Sequence, residues 1–386
     1  MKELESELEQ RRADGLYRKR RIIDSAQGVE TRIDGKSVLS FCSNDYLGLA
    51  NHPDIKQAFI DAVATHGIGS GAAHLINGHS RPHEALEQRL AEFTGRERAL
   101  LFSTGYMANI AIGSALLGRN DLVYLDRLNH ASLIDGARLC DARLMRYRHN
   151  DFTQLEALLG ESHRDQRRLI MTDGVFSMDG DCADLDNLSR VAAEHGAWIM
   201  VDDAHGFGVL GARGAGLLEQ LDLDQQQVPI LMATLGKAVG TAGAFVAGSE
   251  ALIETLIQQA RPYIYTTASP PALAAATLKA IDIVEKESWR RDKLGESIAY
   301  FRARAETLGV ELMASHTAIQ PIIIGDNHKA LQVSNALFEQ GIHVTAIRPP
   351  TVPVGSARLR VTLSAAHERE HIDRLFEALN SVGISA

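Results

Sequence analysis

The sequence predicts an α/β protein: a mainly parallel central sheet with helices on both faces, followed by a smaller α+β domain. From Ala99 to Gly248, short apolar runs alternate with helical patterns, as βα units feeding a parallel sheet do. A length of 386 residues exceeds what one small core accommodates, so more than one domain is expected. Beyond residue 308 the rhythm changes to strands and helices in a block of ordinary domain size.

Taken in order, residues 1 to 23 read as a polar helix, with Leu4 and Leu8 followed by a basic run from Arg11 to Arg21. This arm is expected to pack on the body or on a second subunit. Residues 25 to 35 read as a connection, and the alternation in Ser37-Val-Leu-Ser-Phe41 as the first strand of a small sheet. A helical pattern covers Ile55 to Thr65. The segment Gly67-Ile-Gly-Ser-Gly-Ala72 formally matches a dinucleotide fingerprint, but it follows a helix rather than a strand, so it is read as backbone lying close to a ligand. His79 and His83 are four apart, as metal ligands often are, but Pro82 intervenes and no carboxylate–histidine set stands out. No metal is expected.

Strands are predicted at Ala99–Ser103, Leu122–Leu125, Arg143–Arg148, Leu169–Thr172, Ala197–Val201 and Ile230–Ala233, and Gly243–Gly248 as an antiparallel partner. Helices are expected between them, near 151 to 159 and 184 to 195 among others. Two long helices follow, Pro270 to Glu287 and Trp289 to Leu308. Strands at Ala318–Gly325, Val344–Ile347 and Ala357–Leu363 with helices at 328 to 340 and 367 to 382 complete the chain. The expected division is 1–45 as arm and small-sheet segment, 46–285 as the large domain and 286–386 as the small α+β domain.

Composition narrows the function. A 45% hydrophobic and 23% charged content is that of an ordinary globular chain. A net charge of −9 argues against nucleic acid as the main partner. Cys42, Cys140 and Cys182 are few, odd in number and widely spaced, which fits a reducing cytoplasm and no disulfide framework. No apolar run approaches the roughly 20 residues that span a bilayer, and the acidic N-terminus is unlike a targeting peptide. No membrane association is expected.

The chemistry gathers in two stretches. Trp198-Ile-Met-Val-Asp-Asp-Ala-His-Gly206 is a buried-strand pattern that delivers Asp202, Asp203 and His205 at its C-terminal edge, where open α/β sheets bind ligands. Pro229 to Thr234 is another, and it is followed by Leu-Gly-Lys237. Either fragment alone is equally explained by a helix cap or a solvated lysine. Together they supply an amine, a carboxylate and an imidazole, most of what an electron-sink cofactor such as pyridoxal phosphate requires.

With these residues the chain resembles the α-oxoamine synthase family of fold-type I pyridoxal phosphate enzymes. Five blocks occur in that family's order: Ser43-Asn-Asp-Tyr-Leu-Gly-Leu49, Gly174-Val-Phe-Ser-Met-Asp-Gly180, Asp202-Asp-Ala-His-Gly206, Thr234-Leu-Gly-Lys237 and Ile347-Arg-Pro-Pro-Thr-Val-Pro353. The resemblance implies pyridoxal 5′-phosphate held covalently by Lys237, which later moves the amino acid's Cα proton. It also implies Asp202 at the ring nitrogen, His205 at the ring oxygen and His130 stacked on the ring. Gly105 and Tyr106 would meet the phosphate with helix N-terminal N–H groups, aided by Ser177 and Thr234. Thr266 and Thr267 would reach the phosphate from a neighbouring subunit, implying a homodimer with shared sites. Arg360 would bind the substrate carboxylate, Asn44 the substrate, and Arg18 and Thr351 the acyl chain. Arg358 and Arg360 share a strand face, so periodicity does not choose between them; the resemblance does.

The last block is similar to that of the biotin-pathway branch, implying decarboxylative condensation of L-alanine with a pimeloyl thioester, carried on CoA or on an acyl carrier protein. The alternatives are glycine or serine with another acyl-CoA, a non-catalytic protein that keeps the fold, and a dehydrogenase resting only on Gly67 to Ala72.

Overall fold

The computed structural model describes residues 2–163 and 165–384, which form two compact units. The larger comprises His52–Phe176 and Cys182–Ser288; the smaller comprises the residues up to Asn51, Ser177–Asp181 and those from Trp289 on. The segment expected over 1–45 falls in the same unit as the C-terminal residues, and that unit runs on to Asn51.

The larger unit is built on a seven-stranded sheet. Its order is Arg98–Phe102, Ala244–Gly248, Ile230–Thr234, Trp198–Asp202, Arg168–Asp173, Leu122–Asp126, Arg143–Tyr147. Pairing is parallel except for Ala244–Gly248, which runs against both neighbours.

Side chains alternate between two apolar layers. Val123, Leu125, Leu169, Met171 and Met200 pack with Ala108, Ile112 and Leu133 on one face. Leu122, Tyr124, Ile170, Ile199 and Val201 pack with Leu155, Leu188 and Val191 on the other. Burial on both faces is why these strands read as continuous apolar runs. It also aims the polar ends: Asp173 keeps the parity of Met171, and Asp202 that of Met200, so both point to the layer of the helix Gly105–Leu116.

Local chemistry sets the helix ends. Thr104 caps Gly105–Leu116 by accepting from Met107 N at 3.2 Å. His130 caps Ala131–Leu139, accepting from Ser132 N at 3.3 Å. Such caps satisfy N–H groups that the first turn leaves without helical partners.

The smaller unit differs from the sequence pattern in three places. The first helix spans Lys2–Ala13, not residues 1 to 23, because Gly15 adopts φ +65° and Leu16 N donates back to Arg11 O at 2.8 Å. Arg18 consequently lies beyond it. Residues 25 to 35 are not all connection, since Glu30–Ile33 is a strand paired with Lys36–Ser40 across Asp34 and Gly35. Both turn residues have positive φ, 50° and 78°, the requirement that makes Asp-Gly a hairpin signal. Finally, the expected strand Val344–Ile347 is present as Thr345–Ile347, but a further short strand that the pattern did not mark, Ile342–His343, precedes it. Ile342–His343 pairs parallel with Leu39–Ser40, whereas Thr345–Ile347 pairs antiparallel with Arg358–Arg360. One stretch thus edges two sheets and ties the N-terminal hairpin to the C-terminal strands.

Ile170 lies mid-strand with 0% exposure in the layer of Leu155 and Val191. Ile170→Ala is expected to cost about 2–5 kcal/mol and to lower the melting temperature by roughly 5–15 °C, read by calorimetry.

Candidate active site

At the C-terminal edge of the large sheet, Lys237 Nζ lies 2.9 Å from His205 Nε2. The two come from loops that follow adjacent parallel strands, Trp198–Asp202 and Ile230–Thr234. The lysine's loop is pinned from within. Thr234 Oγ1 donates to Gly243 O at 3.1 Å and accepts from Gly236 N at 3.3 Å, while Leu235 N donates to Gly243 O at 2.9 Å. Thr234 therefore braces the turn that presents Lys237.

Asp202 is 4% exposed and both its oxygens are engaged: Oδ2 accepts from Asn109 Nδ2 at 2.8 Å and Oδ1 from Ala204 N at 3.0 Å. The second hydrogen of Asn109 Nδ2 goes to Ser132 Oγ, also at 2.8 Å. Ser132 Oγ is 2.7 Å from His130 Nδ1, and Ser132 N donates to the same nitrogen. Since Nδ1 accepts an N–H, the neutral ring carries its proton on Nε2, with the Ser132 hydroxyl as the second donor. A hydrogen-bonded relay thus runs Asp202–Asn109–Ser132–His130. Desolvation lowers the His130 pKa; the Asp202 carboxylate opposes this and Lys237 adds to it.

Two more carboxyl groups surround Asp202. Asp173 is its direct register partner on the next strand, and Asp173 Oδ2 accepts from His130 N at 2.6 Å. Burial, then repulsion from Asp202, holds the Asp173 carboxyl well above the usual range. Asp203 is fully buried, and burial pushes it up to about 8 even though Oδ2 accepts from Leu217 N at 2.7 Å. Gly206 and Gly216 wrap this side chain closely: a Cβ at either would lie 2.2 or 1.9 Å from an Asp203 oxygen.

The first turn of Gly105–Leu116 has two N–H groups to spare. Met107 N and Ala108 N are satisfied by Thr104, which leaves the N–H groups of Gly105 and Tyr106 as the open donors of that turn. The Tyr106 hydroxyl is hydrogen-bonded to Asp135. Thr266 and Thr267 follow the short helix Arg261–Ile264, and this segment is joined to the glycine-rich stretch through an Ala73–Thr267 bridge and an Ala268 N to Ala72 O bond of 3.0 Å.

The remaining expected residues stand in the smaller unit, Ser177 among them. Arg360 Nε donates to Ser177 O at 2.6 Å and Nη1 to Asn44 Oδ1 at 3.2 Å, while Tyr46 donates to the same Asn44 oxygen. Arg358 instead forms an ion pair with Asp179 and donates to Met178 O. Among the described residues Arg358 has its carboxylate, whereas the acceptors of Arg360 are neutral. Arg18 Nη2 donates to Thr351 Oγ1 at 3.2 Å.

Asn109, Ser132 and Asp173 were not marked by sequence reasoning. Their signals were present: Asn109 interrupts an apolar helix pattern, and Asp173 ends an apolar strand as Asp202 does.

The donor set of the large unit, a primary amine, an imidazole, a buried carboxylate and an open helix N-terminus, fits pyridoxal phosphate. A family model described as aminotransferase class I and II matches residues 36–379. The 8-amino-7-oxononanoate synthase of Thioalkalivibrio sulfidiphilus is 60% identical over 380 residues, 98% of this chain and 97% of that protein. The chain belongs to the aminotransferase class I and II family. Within it, the chain is an α-oxoamine synthase, a pyridoxal-phosphate-dependent acyltransferase. The synthase of Nitrosococcus oceani is 59% identical over 97% of this chain and 100% of its own length. Among solved structures, the serine palmitoyltransferase of Sphingomonas wittichii superposes with a TM-score of 0.94 at 32% identity, covering 100% of this chain and 98% of that one. The 8-amino-7-oxononanoate synthase of Francisella tularensis gives 0.78 at 33% identity over 89% of this chain and 97% of that one.

Two outcomes test the relay and its carboxyl groups. Asn109→Leu removes one hydrogen bond to a charged group, about 1.5–3 kcal/mol, and is expected to lower kcat roughly 10- to 100-fold and alter the pH dependence of the cofactor's visible absorbance. Asp203 tests the linkage. The unfolded carboxyl loses its proton near pH 4, at about 3.9, while the folded one keeps it to about 8. The folded state binds the extra proton between those values, so this contribution is full below the unfolded pKa and is lost as pH rises through the folded one. Asp203→Asn is expected to flatten the fall of melting temperature between about pH 5 and pH 8.

Proposed function

We infer that this chain joins L-alanine to a pimeloyl thioester with loss of carbon dioxide, the step of biotin biosynthesis that yields 8-amino-7-oxononanoate. The observation that carries this reading is near-full-length identity of 58–60% to proteins of that name, against 30–32% to serine palmitoyltransferases of the same fold.

Pyridoxal phosphate, when bound, accepts the electron pair released at the amino acid's Cα. Lys237 is the amine that holds it and the base that takes the Cα proton, a double role that proximity allows. His205, 2.9 Å from Lys237 Nζ, orients that amine and binds the ring oxygen. Asp202, fixed by Asn109 and Ala204 N, would keep the ring nitrogen protonated, and His130 would hold the ring. Gly105 and Tyr106 N–H groups, with Ser177, Thr234, Thr266 and Thr267, would hold the phosphate, the last two serving the site of a second copy in a homodimer. Arg360 binds the alanine carboxylate beside Asn44, while Arg18 and Thr351 meet the acyl chain, whether CoA or a carrier protein delivers it. The thiol is the leaving group.

No helix among the described residues is long and apolar enough to cross a membrane. The proposed setting is the cytoplasm.

The deciding assay presents L-alanine, glycine and L-serine in turn with pimeloyl-, acetyl-, succinyl- and palmitoyl-CoA and follows thiol release. Alanine with the pimeloyl thioester is expected to dominate; a preference for glycine or serine with another acyl group refutes the reading. Lys237→Ala is expected to lose the long-wavelength absorbance of the bound cofactor and roughly a thousandfold or more of turnover. Arg360→Ala is expected to raise KM for alanine by roughly 10- to 100-fold.

A further inference from the structure

The chain between the helices Pro53–His66 and Arg81–Thr94 folds two imidazoles onto a third in the first turn of the second helix. His74 opens a π-helical turn, His74–Gly78, that is closed by a glycine whose added Cβ would lie 2.1 Å from Ala72 O. That turn carries the chain back so that His74 Nδ1 and His79 Nδ1 are 2.9 Å apart. His83, one turn into the next helix and 0% exposed, completes the group: ring centroids are separated by 5.1 to 5.7 Å, and one nitrogen from each residue lies within 4.8 Å of the others.

Two of the three rings have hydrogen-bond partners of the kind that metal ligands use. Histidines that bind metals usually donate their other N–H to a carboxylate or a backbone carbonyl. His79 Nε2 is 3.2 Å from Glu84 Oε2, and with the proton there its Nδ1 lone pair faces His74. His83 Nε2 is 2.8 Å from Ser269 O, to which it donates. Its Nδ1 accepts from Ser80 N at 3.1 Å and lies 2.9 Å from Ser80 Oγ. The His74 ring is stacked on Tyr263, centroids 5.1 Å apart and planes within 15°, which fixes its plane.

We propose that His74, His79 and His83 form a binding site for a divalent metal of the zinc class, with Glu84 and the Ser269 carbonyl behind two of the ligands. Spacing of four alone left His79 and His83 unremarkable in sequence; the fold adds the third imidazole and the backing carboxylate. Three neutral imidazoles favour zinc, nickel or copper over magnesium and calcium, which take oxygen ligands. Tetrahedral zinc with Zn–N near 2.0–2.1 Å sets its nitrogens about 3.3 Å apart. The His74–His79 pair opens by a few tenths of an ångström to meet this, and His83 exchanges its Ser80 cap bonds for the metal. No covalent or redox step is involved. The effect is mechanical: His83 already holds Ser269 while Ala73 bridges Thr267, so an ion there locks the 72–83 segment onto residues 266–269.

The test is titration of chelator-treated holoenzyme with zinc chloride by calorimetry, with a melting curve at each end point. One zinc per chain is expected, with a higher melting temperature and no competition from excess magnesium. His79→Gln and His74→Gln are expected to abolish that event, and Glu84→Gln to weaken it roughly 10- to 100-fold. The cofactor's visible absorbance, unchanged in the variants, verifies that they fold. Absence of zinc uptake by the wild type, equal affinity in both histidine variants, or displacement by magnesium overturns the proposal.

Discussion

A negative charge buried at the end of a β-strand has to be compensated, and the large unit is arranged around that requirement at Asp202. An isolated carboxylate taken out of water costs far more than one hydrogen bond returns. Here two donors of different origin meet it, Asn109 from a helix and Ala204 N from its own turn, so both oxygens have a fixed direction. Its two neighbours are disfavoured as anions, Asp173 by burial and by Asp202 itself, Asp203 chiefly by burial. Three carboxyl groups therefore present far less than three charges. That leaves Asp202 as the one of the three whose hydrogen bonds hold it for a single cationic partner rather than for a metal cluster.

The sheet makes this arrangement possible. Strands in parallel register bring Asp173 beside Asp202, and the alternation of side chains turns both to one face. The helix on that face carries Asn109 inward, and the helix after it carries Ser132. One amide side chain then bridges the carboxylate and the hydroxyl that holds His130. Moving the Trp198–Asp202 strand by one residue would reverse its side-chain parity and break the link from Asp202 to Asn109.

In the smaller unit the same economy separates two arginines on one strand face. Arg358 is spent on Asp179, a part-buried ion pair within the smaller unit that holds the Ser177–Asp181 segment. Arg360 uses neutral acceptors for position and retains its charge. A guanidinium held this way is preorganised for a carboxylate, since the cost of burying and orienting it is met by the fold.

Much of this was legible in the chain. The βα alternation, the polar termini of the 198–202 and 230–234 strands, and the blocks containing Asn44, His205 and Lys237 depend on local order, because strand period, cap chemistry and turn preference act over a few residues. The Asp34-Gly35 hairpin was equally local and was passed over, as was the stop at Gly15; both follow from positive φ. What residue order could not express was which groups meet across long separations. Asn109 with Asp202, Arg358 with Asp179, and His74 with Tyr263 become neighbours only when strand order, register and a turn closed by glycine bring distant segments together. Local interactions choose the elements, but the burial of charge is satisfied between elements, and only the packed fold decides those partners.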